Sequence, residues 1–157
     1  MSKGAPIAEG RIHEFTTHSG ADTIEVGRKL AGLLKPPQLL ILRGDLGTGK
    51  TTLVKGIAQA LDAADPDEVT SPTFTLLHEY VGTQDGHPVK LFHLDVYRLE
   101  GDRQLETLGL EELFTPDALV LVEWGEKFKS IRKRATGEIA ITSAGGDARK
   151  ITVTLKE

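Results

Sequence analysis

The chain has 157 residues, of which 39% are hydrophobic, and a formal net charge of −4 at neutral pH. This length suits one domain of ordinary size, and the lack of any cysteine excludes disulfide frameworks and cysteine-based zinc sites. The acidic balance argues against a free-standing nucleic-acid binder, and no run approaches the ~20 apolar residues that a membrane helix needs.

We therefore expect a single domain over residues 1–157, with residues 1–10 as a flexible N-terminus. Residues 1–6 contain no apolar stretch like that of a signal peptide. These features favour a soluble cytoplasmic protein without membrane contact, present as a monomer or weak dimer. Any role that involves RNA is expected to pass through a partner.

The first part of the chain predicts two strands and two helices. Residues 12–16 suit a short strand, and residues 19–34 suit a helix that Ser19 caps and that Pro36-Pro37 ends. Residues 38–42 form a short apolar run typical of a buried strand. A second helix is predicted over residues 51–61, where apolar side chains recur at helical spacing: Leu53, Val54, Ile57, Ala58 and Leu61.

The middle of the chain predicts a hairpin. Residues 63–72 are expected to connect the second helix to a strand over residues 73–81. Residues 82–88 resemble a hairpin turn, and residues 89–96 are the expected partner strand.

The last third of the chain predicts a buried strand and a terminal hairpin. Residues 102–114 are helical or loop-like, and residues 118–123 form a second apolar run that ends in an acid. Residues 138–142 and 150–155 flank Gly145-Gly146 as the two strands of the hairpin. Helices mixed with buried and hairpin-type strands imply an α/β fold, with a mixed, partly parallel sheet flanked by helices and a C-terminal β-hairpin.

A phosphate-binding motif lies between the strand of residues 38–42 and the helix of residues 51–61. It reads Gly44-Asp45-Leu46-Gly47-Thr48-Gly49-Lys50-Thr51 and matches G-x-x-x-x-G-K-T. The glycines allow turns that aim backbone N–H groups at phosphate oxygens, Lys50 supplies charge, and the Thr51 hydroxyl can ligate Mg²⁺. Strand, loop and helix in this order place a helix N-terminus beneath a phosphate. We expect a P-loop NTPase-like domain whose nucleotide contacts are Asp45, Leu46, Gly47, Thr48, Gly49, Lys50, Thr51 and Thr52.

Two acids are candidates for holding Mg²⁺ or aligning the attacking water, which hydrolysis also requires. Glu123 ends the apolar run of residues 119–122, and Asp95 ends the mixed run of residues 91–94. Open α/β sheets bind ligands at the C-terminal ends of their strands, so both acids could converge there. The pattern favours Glu123, because its strand is more fully apolar. The alternative is that one acid only ends a strand or pairs with Arg98.

Several neighbouring residues have two interpretations each. Ser71, Pro72 and Thr73 could form a switch-like loop that senses the γ-phosphate, or an ordinary turn with proline at its second position. Trp124, the only tryptophan, could stack on a ligand, contact a partner or belong to the core. Alternation along a strand predicts that Trp124 points away if Glu123 faces the site. Arg98 could stabilise phosphate charge or pair with a nearby acid.

Two further groups of residues carry weaker signals. The five histidines show no metal-ligand spacing, so they predict no metal site. Residues 127–134 contain a basic run that suits a solvated face or a contact with RNA or an acidic partner: Lys127, Lys129, Arg132, Lys133 and Arg134.

The choice among nucleotide-dependent classes favours an ATPase. Guanine-selective P-loop proteins use N-K-x-D, and this chain contains no asparagine and no D-x-x-G switch. A small-molecule kinase needs an arginine-rich lid, yet residues 102–117 contain one arginine, Arg103. A small-molecule kinase and a module that binds ATP only as a ligand remain the alternatives.

Four motifs together resemble the TsaE (YjeE) family, the ATPase of bacterial tRNA threonylcarbamoyladenosine synthesis. They occupy residues 44–52 (GDLGTGKTT), 71–76 (SPTFTL), 93–99 (HLDVYRL) and 121–124 (LVEW), and the resemblance spans residues 10–155. It implies a small P-loop ATPase with little activity alone. Such proteins act on the TsaD–TsaB complex, which modifies the adenosine beside the anticodon of ANN-decoding tRNAs.

The resemblance also implies roles for individual residues. Lys50 and Thr51 are expected to bind phosphate and Mg²⁺, while Asp95 and Glu123 serve the metal or the water. Trp124 is expected near the nucleotide or a partner surface. Similar proteins often carry Leu-Pro after the Glu-Trp pair, whereas this chain continues into the basic residues 129–134. Adenine contacts therefore stay open between this region and the first helix near Thr23.

Overall fold

The computed structural model describes residues 11–45, 47–72 and 76–156. The strands in these ranges form a seven-stranded sheet of order β1-β7-β6-β2-β5-β4-β3. They are β1 (Arg11–Thr17), β2 (Gln38–Arg43), β3 (Leu77–Gln84), β4 (His87–Asp95), β5 (Ala118–Glu123), β6 (Gly137–Ser143) and β7 (Arg149–Leu155). The central strands β6, β2, β5 and β4 are parallel, whereas β3, β7 and β1 pair antiparallel with their neighbours. This confirms the predicted α/β fold with a mixed, partly parallel sheet and a C-terminal hairpin.

Helices cover both faces of the sheet. They are α1 (Gly20–Leu33), α2 (Lys50–Ala60), α3 (Asp102–Leu108), α4 (Leu110–Leu113) and α5 (Lys129–Arg134), with short 3₁₀ turns at Pro66–Glu68 and Gly125–Lys127. Helices α1 and α2 pack on one face and α3 to α5 on the other. Strand β5 serves both layers, since Leu119 and Leu121 join the first core and Val120 and Val122 the second. Burial on both faces explains why its sequence is wholly apolar.

Helices α1 and α2 approach each other through glycine. A Cβ atom on Gly27 would lie 2.3 Å from the carbonyl oxygen of Leu53, and one on Gly56 would lie 2.0 Å from that of Ile24. The backbones therefore touch without intervening side chains. Ser19 caps α1 as predicted, because its hydroxyl accepts a hydrogen bond from the N–H of Asp22 at 3.1 Å.

The predicted hairpin turn is present, but it is shorter than residues 82–88. Strand β3 continues through Gln84 and β4 begins at His87, so the turn is Asp85-Gly86, both with positive φ (53° and 82°). Gly82 belongs to the strand because the end of α2 packs against it: an added Cβ would lie 2.2 Å from the carbonyl oxygen of Leu61. The sequence analysis took Gly82 as a turn residue. In the structure, glycine is needed at this position because the strand and the end of α2 pack closely together.

Two other predictions were refined by the structure. Residues 102–114 form α3 and α4, which meet at Gly109 in the left-handed region. The strand predicted over residues 73–81 is β3 from Leu77 onward, and residues 73–75 lie outside the described ranges. Within the described ranges, no helix has the length and apolar character needed to cross a membrane.

Candidate nucleotide-binding site

The phosphate-binding motif forms a tight loop between β2 and α2. Gly47 and Gly49 adopt positive φ values of 81° and 106°, and α2 begins at Lys50. The carbonyl oxygen of Asp45 accepts hydrogen bonds from the backbone N–H and the hydroxyl of Thr48, at 3.2 and 2.7 Å. The first turn of α2 contains no acid that would compete for its free N–H groups. This arrangement suits an anion at the helix N-terminus.

The sheet brings both candidate acids to this loop. Strands β4 and β5 are parallel neighbours in which Asp95 lies opposite Glu123, and Glu123 in turn lies opposite Leu42 of β2. The two acids and the loop therefore share the C-terminal edge of the sheet, as expected. Between them is a cavity of about 630 Å³ lined by Gly47, Gly49, Lys50, Thr51, Thr52, Ser71, Asp95, Tyr97, Arg98, Glu123 and Trp124.

Glu123 is held by two cationic or hydrogen-bonding partners. Its Oε1 lies 3.2 Å from Lys50 Nζ, and its Oε2 lies 2.5 Å from Nε2 of His93, whose side chain is fully buried. Burial alone would raise the pKa of Glu123, but the hydrogen bond and charge of His93 and the charge of Lys50 outweigh it. The pKa of Glu123 therefore lies below its ordinary value, and the side chain is a carboxylate at neutral pH.

Asp95 has a different environment from its neighbour. Its Oδ1 accepts a hydrogen bond from the backbone N–H of Tyr97 at 2.9 Å. Burial raises the pKa of Asp95, and the charge of Glu123 raises it further despite that hydrogen bond. Two acids that face each other on neighbouring strands thus have pKa values moved in opposite directions, a pattern that is common at functional sites.

Trp124 lines the same cavity as Glu123, so the prediction from strand alternation is wrong. Strand β5 ends at Glu123, and Trp124 adopts the left-handed region at φ 66° and ψ 16°. Alternation holds only for extended backbone, and this turn redirects the tryptophan into the site. Its ring lies 4.9 Å from that of Tyr97 and 5.4 Å from Lys50 Nζ. A non-glycine residue in this region is costly and is found most often at functional sites.

The remaining predicted residues are placed as follows. Ser71 and Arg98 line the cavity, and the carbonyl oxygen of Pro72 accepts a hydrogen bond from Leu76 N–H at 2.8 Å. Leu46 was predicted to contact the nucleotide, and Thr73 was predicted to belong to the switch-like loop. Both residues lie outside the described ranges.

A second, shallower hollow of about 340 Å³ flanks the phosphate-binding loop on the side of α1. Its lining comprises Ser19, Gly20, Thr23, Gly47, Thr48, Gly49, Thr52, Asp147 and Arg149. Thr23, one of the residues considered for an adenine contact, thus borders the loop, whereas α5 contributes to neither this hollow nor the main cavity.

Members of the basic run mainly hold local structure. Lys127 Nζ donates to the carbonyl oxygens of Tyr97 and Leu99, which ties the segment after β4 to the segment after β5. Arg134 lies 2.9 Å from Glu111 and 4.7 Å from the ring of Phe114. These contacts fix the second core layer and leave Lys129 and Lys133 exposed.

Sequence reasoning missed two residues. His93 was set aside because it lacks metal-ligand spacing, yet it buttresses Glu123; the signal was its place two residues before Asp95 on the same face of β4. Arg149 donates to the carbonyl oxygen of Thr48 at 3.0 Å. Arg149 lies near the loop because β7 pairs with β6 and β6 lies beside β2. No local sequence pattern indicates this strand order.

The donor set near the loop suits Mg²⁺, although the described residues contain no group of three or more histidine, cysteine or acidic side chains arranged as a metal site. Magnesium in nucleotide sites takes one or two protein oxygens and completes its shell with phosphates and water. Thr51 and Asp95 line the cavity and offer a hydroxyl and a carboxylate. These two donors are sufficient only in the presence of a nucleotide.

Comparison with known proteins decides the family. The TsaE family profile, described as threonylcarbamoyl adenosine biosynthesis protein TsaE, matches residues 17–151. The chain belongs to the TsaE family. This match covers both the phosphate-binding loop and the two acids, and it confirms the resemblance found in the sequence motifs.

Individual members of the family extend the comparison. A tRNA threonylcarbamoyladenosine biosynthesis protein TsaE from Bacillus subtilis is 39% identical over 141 residues, which cover 90% of this chain and 84% of that protein. The namesake protein from Aquifex aeolicus is 40% identical over 118 residues, 75% of this chain and 80% of that protein. The crystal structure of Bacillus subtilis YdiB superposes with a TM-score of 0.66 at 33% identity, covering 94% of this chain and 88% of YdiB.

Proposed function

We propose that this TsaE-family chain binds and hydrolyses ATP in the service of threonylcarbamoyladenosine formation on ANN-decoding tRNAs. The observation that carries the proposal is the meeting of Lys50, Asp95 and Glu123 around one cavity at the phosphate-binding loop. The names of its relatives support a role in threonylcarbamoyladenosine formation. The residues of the site support ATP hydrolysis. The products are ADP and phosphate.

Each residue has a distinct part in this mechanism. The N-terminus of α2 and the loop N–H groups bind the phosphates, and Lys50 neutralises the charge that develops as the terminal phosphoryl group is transferred. Glu123, held as a carboxylate by His93, orients the attacking water and accepts its proton. Thr51 and Asp95 would hold Mg²⁺, which would neutralise charge on the phosphate oxygens.

We assign metal binding to Asp95 ahead of Glu123, although the sequence pattern favoured Glu123. Both oxygens of Glu123 already have partners, Lys50 on one side and His93 on the other. The pKa of Asp95 is raised because its burial and the nearby charge of Glu123 are not offset by the charges of Lys50 and His93. A divalent ion beside Asp95 would offset them.

The proposed partner is the TsaD–TsaB complex. In this proposal, the complex contacts the edge of the sheet that carries the candidate nucleotide-binding site. Tyr97 is 57% exposed, and its ring contacts that of Trp124 in a tilted arrangement where both line the cavity. Exposed aromatic side chains of this kind are common anchors in protein interfaces. An interface that includes the nucleotide cavity lets the partner respond to whether ATP or ADP is bound. The chain then interacts with tRNA only through the complex.

The test is ATP hydrolysis by the purified chain, alone and with TsaD–TsaB, with and without tRNA. We expect weak activity alone and strong stimulation by the complex. Lys50→Ala should lower the rate constant by about 10²–10³ through loss of a preorganised charge. Glu123→Ala should lower it by about 10²–10⁴ while sparing nucleotide binding. Lys29→Ala, which removes an exposed lysine from α1, is the matched control and should leave the rate unchanged.

Other outcomes separate the alternatives. Transfer of the terminal phosphoryl group to a metabolite rather than to water would identify a small-molecule kinase. Nucleotide binding without hydrolysis, even with active partners, would identify a ligand-binding module. A Glu123→Ala variant with unchanged turnover would remove Glu123 from the mechanism.

A further inference from the structure

Arg149 connects the C-terminal hairpin to the phosphate-binding loop. It is the first residue of β7, and its Nε donates to the carbonyl oxygen of Thr48 at 3.0 Å while its Nη2 lies 3.5 Å from that of Gly47. Its Nη1 donates to the carbonyl oxygens of Gly146 and Ala148, both at 2.9 Å. One side chain thus joins two segments that are about a hundred residues apart.

The hairpin does not require this side chain to close its turn. Ala144 N–H donates to the carbonyl oxygen of Ala148, and Ala148 N–H donates to that of Gly145, both at 2.9 Å. Strands β6 and β7 then pair from Ser143 and Arg149 onward. Because the turn has its own backbone hydrogen bonds, the contacts with Gly47 and Thr48 need another explanation.

The geometry of the peptide bond provides one. A trans peptide points its C=O and its N–H in opposite directions. When Arg149 holds the carbonyl of Thr48 on the outside of the loop, the N–H of Gly49 is turned to the other side. Gly49 borders both the second hollow, which Arg149 lines, and the main cavity. An N–H that points away from Arg149 therefore faces the main cavity, where phosphate oxygens are expected.

The charge of Arg149 also favours phosphate binding by the loop. Every group that its side chain contacts here is a neutral carbonyl, and it takes part in none of the ion pairs found among residues 11–45, 47–72 and 76–156. Asp147 lines the same hollow as Arg149, but neither residue is in these ion pairs, so no direct ion pair neutralises the guanidinium. A guanidinium beneath the loop adds to the field that attracts phosphate.

We propose that Arg149 is a positioning residue that clamps the phosphate-binding loop in its anion-binding conformation. In this proposal it acts through the Gly47 and Thr48 carbonyls, and its place in the same hollow as Thr23 makes a contact with the base the alternative to be tested. The clamp itself follows from the structure, while its effect on nucleotide affinity rests on the proposed function. The experiment therefore has one arm without nucleotide and one arm with it.

The first arm measures amide hydrogen exchange in the nucleotide-free protein. Arg149→Gln should speed exchange in peptides covering residues 47–52, because the loop opens more often once its carbonyls are released. Arg149→Lys, which keeps the charge and one donor, should give an intermediate result. Lys150→Gln is the matched control: it removes a positive charge from the next residue, which pairs with Glu14 instead. Unchanged exchange in residues 47–52 of Arg149→Gln would overturn the proposal, as would faster exchange confined to the turn of residues 143–148.

The second arm measures the dissociation constants of ADP and GDP by competition with a fluorescent ADP analogue. The clamp predicts that Arg149→Gln weakens both nucleotides by the same factor, about tenfold for charge-assisted hydrogen bonds of this kind. Weakening of ADP alone would show that Arg149 reads the base and would overturn the proposal. A wild-type chain that binds neither nucleotide contradicts the proposed function, and the exchange arm still decides whether the clamp exists.

Discussion

The contact between α1 and α2 allows a sharp test of the packing with two substitutions in one helix. A Cβ on Gly27 would meet three backbone atoms of α2: Leu53 O at 2.3 Å, Gly56 Cα at 2.9 Å and Ile57 N at 3.0 Å. A Cβ on Gly32, in the same helix, would meet nothing within 4 Å. Gly27→Ala and Gly32→Ala therefore make the same chemical change in opposite surroundings.

The expected free energies follow from two terms. Alanine is favoured over glycine in a helix by about 1 kcal/mol, which applies to both variants. Overpacking a tight core costs about 1–3 kcal/mol, and the upper end applies to Gly27 because backbone atoms cannot rotate away. Gly32→Ala should thus gain about 1 kcal/mol of stability, and Gly27→Ala should lose about 2 kcal/mol.

The assay is urea unfolding followed by far-ultraviolet circular dichroism, with thermal melting as a second measure. A change of 1 kcal/mol moves the melting temperature of a domain of this size by about 2–4 °C, so the two variants should lie on opposite sides of wild type. Because α2 begins with Lys50, the displaced helix in Gly27→Ala should also weaken nucleotide binding. Equal stability of the two variants would refute the close helix contact.

Three further predictions concern the buried charges at the site. His93→Leu removes the partner of Glu123 Oε2 without a large loss of volume and should lower the free energy of unfolding in urea by about 3 kcal/mol. His93→Gln keeps a hydrogen-bond donor and should lower it less. Equal losses in the two variants would show that the hydrogen bond is unimportant. Asp95→Asn should stabilise the chain at neutral pH, because the raised pKa of Asp95 means that folding disfavours its charged form, and this gain should shrink as the pH falls through that pKa. Glu123→Gln should show the reverse, since the lowered pKa of Glu123 gives stability that is present at neutral pH and lost as the acid is protonated. Urea midpoints between neutral pH and about pH 4 check both signs, and parallel pH profiles for the two variants would contradict them.

Local sequence patterns were sufficient for the elements around the phosphate-binding loop. The apolar run before Gly44, the glycines and the helical spacing after Thr51 are all short-range features, and the structure has β2, the loop and α2 in those places. The apolar run of residues 118–122 also predicted a buried strand that ends in Glu123, and β5 lies there.

Features that depend on distant neighbours could not be predicted in this way. The length of the β3–β4 turn depends on how the end of α2 packs against Gly82. The direction of Trp124 depends on a left-handed backbone that only the surrounding structure can impose. The partners of His93 and Arg149 depend on strand order, since Glu123 is 30 residues from His93 and Thr48 is 101 residues from Arg149.

In the proposed function, the ion pair between Lys50 and Glu123 makes phosphate binding an exchange reaction. The lysine already has an anionic partner, so a nucleotide gains only the difference between a phosphate and a carboxylate, and its affinity depends less on ionic strength than the charge of Lys50 alone suggests. The same exchange frees one oxygen of Glu123. In the proposed mechanism, the base that activates water thus becomes available in the step in which the phosphate arrives.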